Sequence, residues 1–283
     1  MKLSFSTLPC EGWTLDELVE ACRRHGYTGI ELKEDRNYAI TIDSTESELR
    51  EAAAKFENAG ITVTNIGSRV RFTGDEQEGE QQTECKQREL RTNIDIAQQL
   101  SARGVRIMLG KGSSRPDRSA LSRQRILRRI REACDYAASR QVEIWIETHS
   151  EYSTRKILRE LLDEVDRPNC KVIYDILHAY EFHEKAIETI TYLGADCVHV
   201  HVKDGKPDAD PDKVEWHHTE LGKGQLPITE AVKTLQSCNY RGYFSFEWED
   251  KWRQELRDLA LDKQDVLAAY VEFMRNLSGR GYR

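Results

Sequence analysis

Residues 142–147 read VEIWIE, residues 170–176 read CKVIYDI, and TRKILRELLDEV (154–165) lies between them. The outer runs are short, apolar and rich in β-branched residues, as buried strands are. The middle run mixes charged and apolar residues at helical spacing. A strand, a helix and a second strand in this order imply a right-handed crossover within a parallel sheet.

The same unit recurs along the whole chain. Strands are predicted at 2–6, 27–33, 61–66, 105–109, 142–147, 170–176, 196–203 and 242–248. Helices are predicted from Thr14 to about Arg24 and over 44–58, 83–100, 119–140, 154–165, 184–193, 228–237 and 256–277. Thr14 and Glu17 have the spacing of a capping box, and Gly26 suits a left-handed helix end. Residues 74–84, GDEQEGEQQTE, read as a solvated loop or helix start. Eight strand–helix units in about 250 residues are what a closed (β/α)8 TIM barrel requires. An open doubly wound sheet is the rival, but no GxGxxG follows the first strand. The reading is α/β, one barrel domain over residues 1–283.

The bulk numbers remove several function classes. Net charge is −7, which opposes the basic surface a nucleic-acid binder needs. No apolar run reaches the length of a membrane span. Seven scattered cysteines without a CxxC pair, and a start without a long apolar leader run, predict a reduced, cytoplasmic protein.

At the C-terminal ends of barrel strands, side chains share one cup. The last four predicted strands end on or beside Glu147, Asp175, His201 and Glu247. A charged group inside an apolar run is costly to bury unpaired, and four converging groups need a cation. Three carboxylates and one imidazole suit a divalent metal ion: Mn2+, Mg2+, Co2+ or Zn2+.

These residues sit in motifs that resemble the sugar phosphate isomerase/epimerase family, the xylose-isomerase-like TIM barrels. The resemblance rests on LSFSTLPCEGWTLDELVEAC, GYTGIELK, IETHS, YDILHAYEFHE, VHVHVKDG, LGKGQLPI and GYFSFEWEDKW, taken in order. It implies that Glu147, Asp175, His201 and Glu247 hold one ion, with Glu147 and Glu247 doubling as the acid/base pair. The implied activity is isomerisation or epimerisation of a sugar, sugar phosphate or keto-polyol. An enediolate formed by proton removal beside the carbonyl is stabilised by the cation. Loss of a β-hydroxyl instead would make the chain a dehydratase of a keto-inositol or keto-sugar. An apurinic-site endonuclease shares this barrel but needs more histidines than the eight present. A non-catalytic sugar-binding barrel sits poorly with a complete ligand set.

The resemblance places His178 at the family's D-x-x-H position as a substrate contact, and Glu184 where the family carries a Glu. His149, Lys203 and Arg69 complete the expected substrate-binding set. Around them, His199 reads as a core or supporting histidine, and Glu31 as a substrate or Arg partner. Arg71 reads with Arg69 as a loop contact for an anion, and Asp204 as a loop cap. Gly222-Lys223-Gly224 reads as a turn, although the family carries an acidic residue between those glycines. Arg128, Arg129 and Arg131 read as a solvated helix face. Trp248 and Trp252 are expected to close the mouth or to pack against another copy in a homo-oligomer.

Overall fold

A computed structural model describes residues 1–75, 79–111, 120–210, 213 and 215–279. In chain order the elements are β1 (Lys2–Phe5), α1 (Leu15–His25), β2 (Gly29–Lys33), α2 (Glu46–Asn58) and β3 (Thr62–Phe72). Next come α3 (Glu80–Gln99), β4 (Gly104–Leu109), α4 (Ala120–Ala138), β5 (Glu143–Glu147), α5 (Arg155–Val165) and β6 (Cys170–Asp175). Then follow α6 (Ile176–Glu181), α7 (Ala186–Leu193), β7 (Cys197–Val202), β8 (Asp204–Pro207) and β9 (Trp216–Thr219). The chain continues with α8 (Ile228–Ser237), β10 (Tyr243–Phe246), α9 (Gln254–Arg257) and α10 (Lys263–Gly279).

Local chemistry sets the helix ends. Thr14 Oγ1 accepts the Glu17 amide at 3.3 Å, while the Thr14 amide donates to Glu17 Oε2 at 2.7 Å. Gly26 ends α1 with φ at 81°, where a Cβ would be strained. Thr45 and Glu48 repeat the same reciprocal cap on α2.

Eight strands form one parallel sheet in the order β1-β10-β7-β6-β5-β4-β3-β2. Its two ends meet where Ser6 bridges Glu31 and the Thr7 amide donates to the Glu31 carbonyl at 2.9 Å. The result is the expected (β/α)8 TIM barrel. Apolar residues on the outer strand faces, such as Ile30, Val105 and Ile144, pack with inner helix residues in one large core. Register then fixes what shares a level inside the barrel. His201 lies beside Asp175 on one side and Ser245 on the other. Arg106 lies beside Trp145, and Trp145 with Ile173 and Val198 makes a small separate apolar cluster.

Four departures from the sequence reading matter for the site. β3 runs on to Phe72, so Arg69 and Arg71 belong to a strand and not to the loop after it. The stretch after β7 is not simply a loop, because β8 and β9 pair as an antiparallel hairpin. The helix predicted at 184–193 is found as α7, starting at Ala186, but an additional short helix, α6, starts directly after Asp175 where none was predicted. Arg129 is buried, donates to Thr83 Oγ1 and lies over the Phe72 ring, so only its neighbours on α4 fit a solvated face. Residues 76–78 of the acidic stretch and Ser119, the expected start of the fourth helix, lie outside the described residues.

Gly104 is required by the barrel interior. A Cβ there would sit 2.3 Å from the Trp145 ring, which is fully buried and stacked on His199 with ring centroids 5.3 Å apart. Overpacking of this kind costs about 1–3 kcal/mol. Gly104→Ala should therefore lower the midpoint of denaturant unfolding, and adding Trp145→Phe should recover part of the loss. An unchanged midpoint in the single variant would contradict the packing described.

Candidate metal centre

Parity along the strands sends every second residue into the barrel. On β5, Trp145 and Glu147 point inward; on β7, His199 and His201 do the same. The apolar Trp145 therefore lies one pleat below the level at which Glu147, Asp175, His201 and Glu247 converge. One ligand-type atom from each of these four buried residues lies within 4.8 Å of the others.

Distances define which atoms converge. His201 Nδ1 is 3.0 Å from Glu147 Oε1, 3.8 Å from Asp175 Oδ2 and 3.5 Å from Glu247 Oε2. Asp175 Oδ1 caps α6 by accepting the His178 amide at 2.9 Å. Its Oδ2 is buried and takes no hydrogen bond, although Lys203 Nζ lies 2.8 Å away. The contact is close enough for an ion pair but misdirected for a hydrogen bond, so Oδ2 keeps a lone pair aimed at the cluster. Lys203 Nζ also donates to Glu247 Oε2 at 2.6 Å and pairs with Glu249.

Charge counting makes the same point. Around the cluster, Glu31, Glu147, Asp175 and Glu247 are buried, and Arg106 and Lys203 are the buried permanent cations touching them. Lys203 is shared with Glu249 as well, so the buried carboxylates outnumber the permanent cations that touch them, an excess that a divalent ion would offset. The donor set and the orphaned Asp175 oxygen both fit such an ion.

The two outer glutamates have unequal surroundings. Glu147 Oε2 accepts from Arg106 Nη1 at 2.6 Å, and its Oε1 faces His201, so both oxygens are engaged. Burial works against ionisation of Glu147, but Arg106 and His201 hold it well below the usual carboxylate range. Among the described residues, Glu247 is engaged only through Oε2. Burial raises its carboxyl to about 7, against the pull of His201 and Lys203.

Above the cluster opens a cavity of about 440 Å³. Its charged lining comprises Glu147, Glu215, Glu247 and Glu249, His149 and His178, and Lys33, Arg69, Arg71, Arg106 and Arg253. Lys33, Arg69, Arg71 and Arg106 come from the neighbouring strands β2, β3 and β4. Among the described residues, Lys33 Nζ donates only to the Glu34 and Gly67 carbonyls, at 2.9 and 3.2 Å. Burial and the neighbouring Arg106 bring its ammonium down to about 7.

The substrate-contact expectations divide. His149, His178 and Arg69 line the cavity, and Lys203 reaches His178 Nε2 at 3.3 Å. The rings of His149 and His178 are 4.5 Å apart. Glu184 does not line the cavity: Arg155 and Thr189 Oγ1 hold its carboxylate on the helical side. Three residues earlier, Glu181 does reach the site. Its Oε2 meets His178 Nδ1 at 2.9 Å and its Oε1 accepts the Trp216 amide at 3.0 Å. The one-turn helix α6 explains this, since i and i+3 share a face, and the sequence reading had placed no helix there.

Further residues differ from expectation or add to it. Among the described residues Glu31 pairs with no Arg, and it does not line the cavity; its Oε2 accepts His199 Nε2 at 3.1 Å and His201 Nε2 at 2.9 Å. Arg106 was not singled out, although an Arg inside the apolar run VRIML was its signal. Asp204 accepts the amides of Gly222 and Gly224 at 2.9 and 3.0 Å, so that turn wraps the chain's own carboxylate. Trp248 is buried, while Trp252 is half exposed on the cavity rim.

Known proteins match the chain over nearly its whole length. A 3-dehydroshikimate dehydratase of Bacillus anthracis is 27% identical over 278 residues, covering 92% of this chain and 91% of that protein. Among solved structures, the IolI protein with a bound zinc atom matches with a TM-score of 0.78 at 17% identity, covering 100% of this chain and 99% of that one. A D-allulose 3-epimerase from Methylomonas sp. matches with a TM-score of 0.74 at 16% identity, covering 98% of each chain. The family described as xylose isomerase-like TIM barrel matches residues 19–277. The chain belongs to the xylose isomerase-like TIM-barrel family.

Proposed function

We propose that this chain is a divalent-metal-dependent enzyme that removes a proton beside the carbonyl of an anionic, hydroxylated ketone and expels water from it. The observation that carries this reading is the cation-rich stretch of the cavity wall, where Lys33, Arg69, Arg71 and Arg106 line the space beside the converging carboxylates. A neutral ketose offers those cations only hydroxyl acceptors, whereas a carboxylate offers a charge-assisted pair. The similarity to a 3-dehydroshikimate dehydratase supports the same substrate type, since that ring carries a carboxylate, a ketone and vicinal hydroxyls.

Glu147, Asp175, His201 and Glu247 would hold the ion. When bound, it supplies a Lewis acid for negative charge growing on the substrate's oxygens. Glu247 is the proton acceptor, because its Oε1 carries no donor among the described residues and burial makes its carboxylate more basic. Glu147 is a ligand held by Arg106, without a free oxygen for proton transfer. The leaving hydroxyl takes its proton from the Lys203–His178 pair, which Glu181 holds in place. Lys33, Arg69 and Arg71 receive the carboxylate.

Epimerisation is the second reading, and the expectation that Glu147 and Glu247 act as equal partners favours it. Two-face proton transfer needs two available carboxylates, and the Arg106 contact removes one of them. Incubating metal-loaded protein in D2O with 3-dehydroshikimate and, separately, with neutral ketohexoses separates the readings. Loss of water and appearance of an aromatic dihydroxybenzoate are expected from the first, with no turnover of the second. Deuterium incorporation into a ketohexose with every hydroxyl retained would overturn the dehydratase reading.

Two variants probe the assignments. Glu247→Gln should lower kcat by about 10²–10⁴-fold, the usual worth of a general base, measured by single-turnover kinetics. Lys33 must be protonated to bind an anion, and its folded value lies near 7. Raising pH through 7 therefore neutralises it, so KM for the carboxylated substrate should rise with pH. Lys33→Met should raise KM at pH 6 and flatten that dependence; a wild-type slope in the variant would assign the titration elsewhere.

A further inference from the structure

We infer that Glu31 is a positioning residue for the metal centre, holding His201 and His199 through one shared carboxylate oxygen. The inference rests on the proposed ligand role of His201. Glu31 Oε2 is 2.9 Å from His201 Nε2, 3.1 Å from His199 Nε2 and 3.4 Å from Ser245 Oγ. All of these residues are buried, with exposures of 0 or 1%. A carboxylate oxygen only accepts, so each ring presents an N–H at Nε2. With Nε2 of His201 committed to Glu31, Nδ1 is the atom left for the cation, and Nδ1 is the one facing Glu147, Asp175 and Glu247.

Glu31 is itself fixed by the backbone. It sits where the barrel closes, bridged to Ser6, with its carbonyl accepting the Thr7 amide. The orientation of the metal-facing imidazole is therefore tied to the β1–β2 seam, across the barrel from Glu147 and Asp175. His199 makes the arrangement two-handed: its ring stacks on Trp145 at 5.3 Å and stands edge-on to His201 at 5.5 Å. Rotating His201 would break a hydrogen bond to Glu31 and collide with His199.

Glu31, His199 and His201 also satisfy the spacing of a three-ligand cation site. A second ion there would need both nitrogens of His201 as ligands, leaving the ring without a proton. The three donors on Glu31 Oε2 already satisfy it, so orientation is the role the contacts describe.

Chelator-competition titrations of purified protein with Co2+ and Zn2+ test the inference. Wild type should bind one ion per chain; Glu31→Gln should still bind one, about 10–100-fold more weakly, as loss of an outer-shell partner does. The visible Co2+ spectrum at saturation should also change, which a general loss of stability would not produce. Equal affinity and an identical spectrum would overturn the positioning role while leaving the metal centre intact. Two ions in wild type and one in the variant would overturn it in favour of a second metal site. No ion in wild type would overturn both readings. Nitrogen-15 NMR of the histidine rings in Zn2+-loaded wild type needs no variant. It should find protons on Nε2 of both His199 and His201, and an unprotonated His201 Nε2 would contradict the inference.

Discussion

Everything in the barrel's upper half answers to one cost, the burial of several carboxylates at a single level of a closed β-barrel. An isolated carboxylate loses its hydration there and must be paired, hydrogen-bonded or neutralised. Arg106 neutralises Glu147, Lys203 spans Asp175, Glu247 and Glu249, and two histidines occupy Glu31. Those partners leave the carboxylates in excess of the permanent cations, and one Asp175 oxygen has no hydrogen bond among the described residues. A divalent ion, held as proposed, would complete the arrangement, so the same residues that make the layer costly would make it a metal centre.

The pairings also break the symmetry between Glu147 and Glu247. Arg106 comes from β4, the strand next to Glu147 on the side away from the other ligands, and it ties that carboxylate to the cation-rich stretch of the cavity wall. Glu247 stays on the histidine side with Lys203, His178 and Glu181. On the proposed reading, a proton acceptor and a proton donor stand together, with Lys33, Arg69 and Arg71 lining the same cavity for an anion. The β8–β9 hairpin joins this set from above, because the Trp216 amide rests on the same Glu181 that holds His178.

Much of this was legible from residues alone. Strand periodicity placed the eight barrel strands, and strand-end position picked out Glu147, Asp175, His201 and Glu247, which the fold brings together. What periodicity does not carry is lateral pairing. Glu31 and His199 looked like separate strand residues because their partnership crosses the barrel between β2 and β7. The extension of β3 was hidden because its SRVRF segment alternates polar and apolar in a way that a solvated loop also allows. Arg69 and Arg71 were therefore assigned to the wrong kind of segment. The hairpin was missed because DGKP and WHHT lack an apolar face and pair only with each other. Glu184 was preferred to Glu181 through family resemblance, whereas the turn of helix after Asp175 decides which carboxylate meets His178.

The most direct measurement is anomalous diffraction from a crystal of the protein grown with Mn2+ or Co2+, collected on both sides of the metal edge. One anomalous peak is expected per chain, in contact with Glu147, Asp175, His201 Nδ1 and Glu247. No peak there at saturating metal, or a peak seated instead between Glu31 and the Nε2 atoms of His199 and His201, would contradict the central claim.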